Sequence, residues 1–159
     1  MTTQPDFHIR DAAAGEAAAI EALTLRAIRT AAPEWAAHAD DEAAGVKWVS
    51  RFFGTPLEGQ FILVAEGPDH AMWGVAHVMQ MTDPLAEKGH PHLETLAVAE
   101  VAEGRGIASA LIEASAQRAR ELGGELFTLH VYTGNARAQA VYERVGFQPE
   151  WLRMRRPLS

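Results

Sequence analysis

The stretch from Leu93 to Gly123 constrains this chain more than any other part of it. It reads as a short apolar strand, a loop ending in Gly104-Arg105-Gly106, and then one amphipathic helix. Ile107, Ala108, Leu111, Ile112, Ala119 and Leu122 share one face at helical spacing, and Gly123-Gly124 supplies the stop. Glycines at the handover from strand to helix let the backbone turn tightly with free amides pointing outward. The helix adds its own unpaired first-turn N–H groups and a partial positive charge. Such a turn suits a phosphate or pyrophosphate, and so an anion-bearing cofactor. It also serves simply to pack a helix closely on a sheet, and a lone Gly-x-Gly does not choose between the two.

At 159 residues the chain is expected to form one domain, 1–159, with a core that needs no disulfides. It has no cysteine, which fits a reducing compartment and excludes a thiolate metal site or a cysteine nucleophile in this sequence. MTTQPDFHIR carries no apolar run, so no signal peptide is expected; no segment approaches a membrane span, and the expected location is cytoplasmic. The formal charge of −7 argues against nucleic acid, which wants a basic footprint.

Taken in order, Phe7–Arg10 alternates like a strand, and a helix follows from about Gly15 to Ala31 on Ile20, Leu23, Ala27 and Ile28. Asp40 or Asp41 is placed to cap a second helix carrying Val46, Val49, Phe52 and Phe53. Gln60–Glu66 and Ala71–Met81 read as a hairpin around Gly67-Pro68-Asp69-His70, and Thr82–Pro91 as a loop. After the central strand and helix, Glu125–Val131 reads as a strand. Asn135 caps a fourth helix that ends at Gly146, and Phe147–Trp151 and Arg153–Leu158 read as closing strands. The predicted architecture is α/β: a mixed sheet of about seven strands with about four helices on its two faces.

Three pieces together resemble the GNAT superfamily of N-acetyltransferases: Leu96-Ala97-Val98 followed by Glu103-Gly104-Arg105-Gly106-Ile107-Ala108, then Asn135, then Val141-Tyr142-Glu143-Arg144-Val145-Gly146-Phe147. The resemblance covers most of the chain and is strongest from Leu93 to Phe147. It implies a sheet with splayed central strands, a cofactor-binding core over about 93–147, and N-terminal helices, about 15–54, that wall the acceptor site. It implies acetyl-CoA as cofactor. The pyrophosphate would lie on the amides from Glu103 to Ser109, the pantetheine arm against Leu96, Ala97 and Val98, with Asn135 and Ala138 alongside. Glu103 departs from the family pattern, which has Arg or Gln there; its side chain is expected to point to solvent. Arg105 is the natural side-chain partner for a phosphate.

Acetyl transfer to an amine requires removal of a proton from an ammonium, a donor for the developing oxyanion, and a proton for the departing thiolate. By resemblance, a bulge in the strand at Leu96–Val98 aims an amide at the thioester carbonyl. Tyr142, seven residues after Asn135, is the candidate acid, although the same position also suits an ordinary core tyrosine. Glu94 and His130 are the candidate bases, each at a position where some family members carry a carboxylate, and a histidine titrates in the useful range without tuning. Trp35 and Phe52 are the candidate acceptor contacts, and Glu34, Asp40, Asp41 and Glu42 have the charge to attract an amine. His90, His92 and Glu94 alternate as a metal triad would, but Pro91 makes that geometry doubtful and the chemistry needs no metal.

The expected activity is transfer of an acetyl group from acetyl-CoA to a primary amine of a small molecule or of a peptide N-terminus or lysine, by direct attack in a ternary complex. The protein is expected to be a monomer or homodimer. A non-catalytic acyl-CoA-binding module of the same fold is the alternative. A dinucleotide-binding protein fits poorly, because the next strand ends His130-Val131-Tyr132 and lacks the acidic residue that role requires.

Overall fold

The computed structural model describes residues 6–36, 39–82 and 88–158. Among them five strands form one sheet in the order of the chain: β1 (His8–Asp11), β2 (Phe61–Glu66), β3 (Met72–Met81), β4 (His90–Val98) and β5 (Thr128–Leu129). Every neighbouring pair is antiparallel except β4 with β5, which is parallel. The helices are α1 (Ala17–Ala31), α2 (Ala39–Gly54), α3 (Ile107–Glu121) and α4 (Ala136–Arg144). None of the described helices is long and apolar enough to cross a membrane.

Alternation in β2 builds the two cores. Ile62 and Val64 point to one face, where they pack with Val75, Ala97, Ile20 of α1 and Val49 of α2. Leu63 and Ala65 point to the other, joining Ala76, Val78 and Leu93 against Ile107, Leu111 and Ile112 of α3. Every residue of β2 is buried, and Phe61–Ala65 is a continuous apolar run. Each Leu, Ile or Val so enclosed contributes about 1.5–3 kcal/mol relative to exposure. Gly74 is what allows α3 so close to β3: a Cβ there would stand 2.9 Å from both Ile107 Cγ2 and Leu111 Cδ1.

Three expectations about strands need correcting. The sheet has five strands rather than about seven, and residues 147–158 pair with nothing in it. Pro149 and Pro157 cannot donate to a ladder. Trp151, Leu152 and Met154 are exposed, so no buried face fixes a register there. Second, β4 begins at His90, not after Pro91; Pro91 pairs with Gln80. Third, β5 is two residues long, not seven, because pairing with β4 ends at Leu93–Leu129. Glu94 is the extra residue in β4 at that point, since His77 faces Thr95 while Val78 faces Leu93. An extra residue bends its strand, and β4 turns away just where β5 stops following it.

Candidate active site

The separation of β4 from β5 creates an open strand edge inside the molecule. Leu96, Ala97 and Val98 pair on one side with Ala76, Val75 and Gly74 of β3, and on the other side β5 has already ended. The bulge lies at Glu94, two residues before the position the resemblance suggests.

Beyond Val98 the chain makes a short 3-10 turn, Glu100–Ala102, and enters the glycine loop. Gly104 and Gly106 have φ of +76° and +79°, left-handed values that L side chains resist. A Cβ at either would meet no atom within 4 Å, so the loop faces open space, and Gly106 is the N-cap residue of α3. The amide of Glu103 already donates to the Glu100 carbonyl at 3.2 Å. The donors aimed outward therefore begin at Gly104 and continue through the first turn, Ile107, Ala108 and Ser109. Arg144 of α4 reaches the Ser109 hydroxyl at 3.5 Å.

Side-chain charge around the loop differs from the sequence expectation. Arg105 is turned aside: it donates to Asp6 at 2.9 Å and its guanidinium lies 4.8 Å from the centre of the Trp73 ring. Glu103 does not point free into solvent but is gripped from both sides, by Arg26 of α1 and Arg137 of α4, each at 2.8 Å. Hydrogen bonds from Arg26 and then Arg137 hold its carboxyl below the usual carboxylate range. Arg26 also donates to the Val98 carbonyl at 2.8 Å. Two cations thus converge on the glycine loop, and reading the sequence alone missed both. They sit 77 and 34 residues from Glu103, too far apart for any local pattern to announce them.

Asn135 caps α4 as its position predicts, its Oδ1 accepting from the Ala138 amide at 3.1 Å. The helix packs Val141 and Tyr142 against the α3 core. Tyr142 is half-buried, meets Phe147 edge-on at 6.0 Å, and burial pushes its hydroxyl pKa up, so it stays protonated.

Glu94 and His130 meet at one buried side chain that sequence reading singled out only as a metal candidate. His92 is 1 % exposed. Its Nε2 lies 3.8 Å from the Glu94 carboxylate and its ring centre 4.6 Å from that of His130. Burial, with smaller contributions from His130 and His90, pulls its pKa down to about 4, so it is neutral at neutral pH. His90 and His92 each spend a nitrogen on the Thr128 hydroxyl, at 2.9 and 2.7 Å.

The two aromatic candidates do not share a pocket. Trp35 lines a cavity of about 290 Å³ together with Thr30, Pro33, Tyr132 and Gly134. It meets Tyr132 edge-on at 5.8 Å, and the Arg155 guanidinium lies over its face at 4.0 Å. Phe52 instead packs under α2, against Phe53 and His77. The side chains of Asp40, Asp41 and Glu42 lie outside the described residues.

An open strand edge, a helix start with free amides and a capped partner helix form the site of an acyl-CoA transferase fold. Residues 22–147 match the acetyltransferase (GNAT) family, and the chain belongs to that family, whose members are acyltransferases that use acetyl-CoA. It is 27% identical over 101 residues to the uncharacterized N-acetyltransferase YdgE of Bacillus subtilis; the match spans 58% of this chain and 64% of that relative. Among solved structures it resembles a GCN5-related N-acetyltransferase from Ralstonia eutropha, at 18% identity, TM-score 0.77, covering 96% of this chain and 98% of the other. It also resembles the aminoglycoside N-acetyltransferase AAC(6')-Iy in complex with CoA, at 16% identity, TM-score 0.74, covering 100% and 99%. At these identities the two structures speak for the fold.

Proposed function

We propose that this protein moves an acetyl group from acetyl-CoA to a primary amine of a small molecule or a peptide, by direct attack within a ternary complex. The observation that carries the reading is the edge of Leu96–Val98, which no described strand pairs beyond β3, leading straight into the glycine loop. That edge offers main-chain donors and acceptors to an extended amide-bearing arm. The loop and the α3 start offer amides from Gly104 to Ser109 to a pyrophosphate, with Arg26 and Arg137 supplying positive charge beside them. Asn135 and Ala138 would form the opposite wall. Bound acetyl-CoA supplies an activated thioester.

The residues of the chain do the rest. Tyr142, kept protonated by burial, donates to the departing thiolate in this reading. Glu94, at the bulge, takes the proton of the incoming ammonium, with His130 in reach of the same region through His92. Amides along the bent part of β4 are the candidate oxyanion donors. Trp35 and Phe52, the latter on α2, are the acceptor contacts of this reading. The protein works as a monomer or homodimer, without nucleic acid or membrane, in the cytoplasm.

The test is a screen of amine acceptors at constant acetyl-CoA, following CoA release and the mass of the product. Turnover with an amine supports the reading. One-to-one CoA binding without turnover on any amine would favour the non-catalytic module instead, and absence of CoA binding would refute both.

A further inference from the structure

We propose that His92 is a positioning residue for Glu94, and that the chain His90–Thr128–His92 fixes the imidazole tautomer that presents an Nε2–H to the Glu94 carboxylate. The proposal rests on the acyltransferase reading and deepens it.

Hydrogen counting gives the tautomer. The Thr128 hydroxyl has one proton and meets two imidazole nitrogens, His90 Nε2 at 2.9 Å and His92 Nδ1 at 2.7 Å. With one proton, the hydroxyl donates to at most one ring, so His92 Nδ1 either accepts from Thr128 or donates to it. Two arrangements satisfy it. If Thr128 donates to His90, His92 carries its proton on Nδ1 and turns a bare Nε2 lone pair toward the Glu94 carboxylate 3.8 Å away. Two electron-rich groups then face each other beside a fully buried ring. If Thr128 donates to His92 Nδ1, His90 supplies the other hydrogen bond, and the proton of His92 lies on Nε2, facing the carboxylate. Electrostatics selects the second arrangement.

The consequence is directional. His92 cannot rotate, being 1 % exposed and tied at Nδ1, so its Nε2–H marks one place for the carboxylate of an otherwise exposed residue. The separation of 3.8 Å exceeds a hydrogen bond, and contacts of this kind commonly tighten when a complex forms. The titratable groups facing His92 are His90 and Glu94 on its own strand and His130 beyond β5; its register partner on β3 is Met79. Burial keeps His92 neutral, so it orients the base without competing for the proton. His130 borders the same imidazole from the solvent side.

Two measurements test this. Long-range proton–nitrogen NMR of the histidine rings in the wild-type protein reads tautomers without any need for activity. The expected result is an Nε2–H tautomer for His92 from pH 5.5 to 8, and the same tautomer for the neutral form of His90. An Nδ1–H tautomer for His92 would overturn the proposal. The second is kinetic. His92→Gln keeps an N–H near the Nε2 position; His92→Asn keeps an acceptor near Nδ1 for the Thr128 hydroxyl and loses the group facing Glu94. His92→Gln should retain kcat to within about fivefold, while His92→Asn should lose about ten- to a hundredfold in kcat with little change in KM. Its acidic limb of kcat/KM should also move to higher pH, because a carboxylate that has lost a donor holds its proton more tightly. Thr128→Val should resemble His92→Asn, and Thr128→Ser should restore the wild-type profile. Equal losses in His92→Gln and His92→Asn with unshifted profiles would reduce His92 to packing. Failure of the acyltransferase reading would appear differently, as no turnover in the wild type, and the NMR result would still decide the tautomer.

Discussion

Lowering the pH from 7 to 5 is expected to remove roughly 3–4 kcal/mol of folding stability, and two buried histidines account for it. His77 and His92 are each 1 % exposed, and burial brings both pKa values down to about 4. In the unfolded chain a histidine titrates near ~6.5. The native state therefore binds fewer protons than the unfolded state between these values. The stabilisation is complete above the unfolded pKa and disappears as pH falls toward the folded one. At the limit each group accounts for about 3 kcal/mol, and by pH 5 just under ~2 kcal/mol each is gone. The local bonding of His77 agrees. Gln60 Oε1 accepts from the Leu57 amide at 3.1 Å, so its Nε2 must donate to His77 Nε2 at 2.7 Å. A proton on that nitrogen would break the bond, beneath a Trp48 ring stacked at 4.0 Å. Asp11, Glu16 and Glu103, held below the usual carboxylate range by hydrogen bonds from Arg118, Arg10 and Arg26, contribute only at lower pH. Urea unfolding followed by circular dichroism at pH 7, 6 and 5 measures the slope, and His77→Gln should remove about half of it whatever its stability at pH 7. A wild-type loss below about 1 kcal/mol, or an undiminished slope in His77→Gln, would refute the reasoning.

Gly106→Glu, which puts a carboxylate and a Cβ at φ +79° in the anion-facing loop, should abolish CoA binding in calorimetry; unchanged affinity would remove the loop from the site. Tyr142→Phe keeps the ring packing and should lower kcat about ten- to a thousandfold with CoA affinity nearly intact; an unchanged kcat, with chemistry rate-limiting, would leave Tyr142 a packing residue. Glu94→Gln should cut kcat/KM near neutral pH more severely than His130→Gln, the remaining rate climbing with pH as free amine becomes available. Reversed severities would make His130 the base.

What could be read from the sequence follows the range of the forces involved. The Asn135 cap, the Gly104-Gly106 turn and the apolar face of α3 are local, each set within one or two helical turns, and each stands where the residues predict. Leu122 is the exception on that face; the helix ends at Glu121, and the side chain is exposed. The length of β5 was not readable, because it depends on a bulge in a strand more than thirty residues earlier in the chain. Phe147–Trp151 and Arg153–Leu158 read as strands, but a strand also needs a partner edge, and two prolines withhold the donors. His92 illustrates the same limit within the site. Its spacing to His90 and Glu94 is visible in the sequence, while its bond to Thr128 and its contact with His130 exist only once β5 lies alongside β4.

The acidic residue in the glycine loop shows how such a departure can be compatible with an anion site. A lone carboxylate beside a pyrophosphate would repel it. Glu103, however, is bound to Arg26 and Arg137, so the three side chains together carry one positive charge rather than one negative charge. At about 4 Å and an effective dielectric near 20, a single unit charge is worth about 4 kcal/mol, so the sign of this sum decides whether the loop attracts or repels. Glu103 also bridges α1 to α4, and Arg26 holds the Val98 carbonyl at the end of the open edge. The position that breaks the family pattern thus holds two cations beside the loop, where the pattern has a single Arg or Gln.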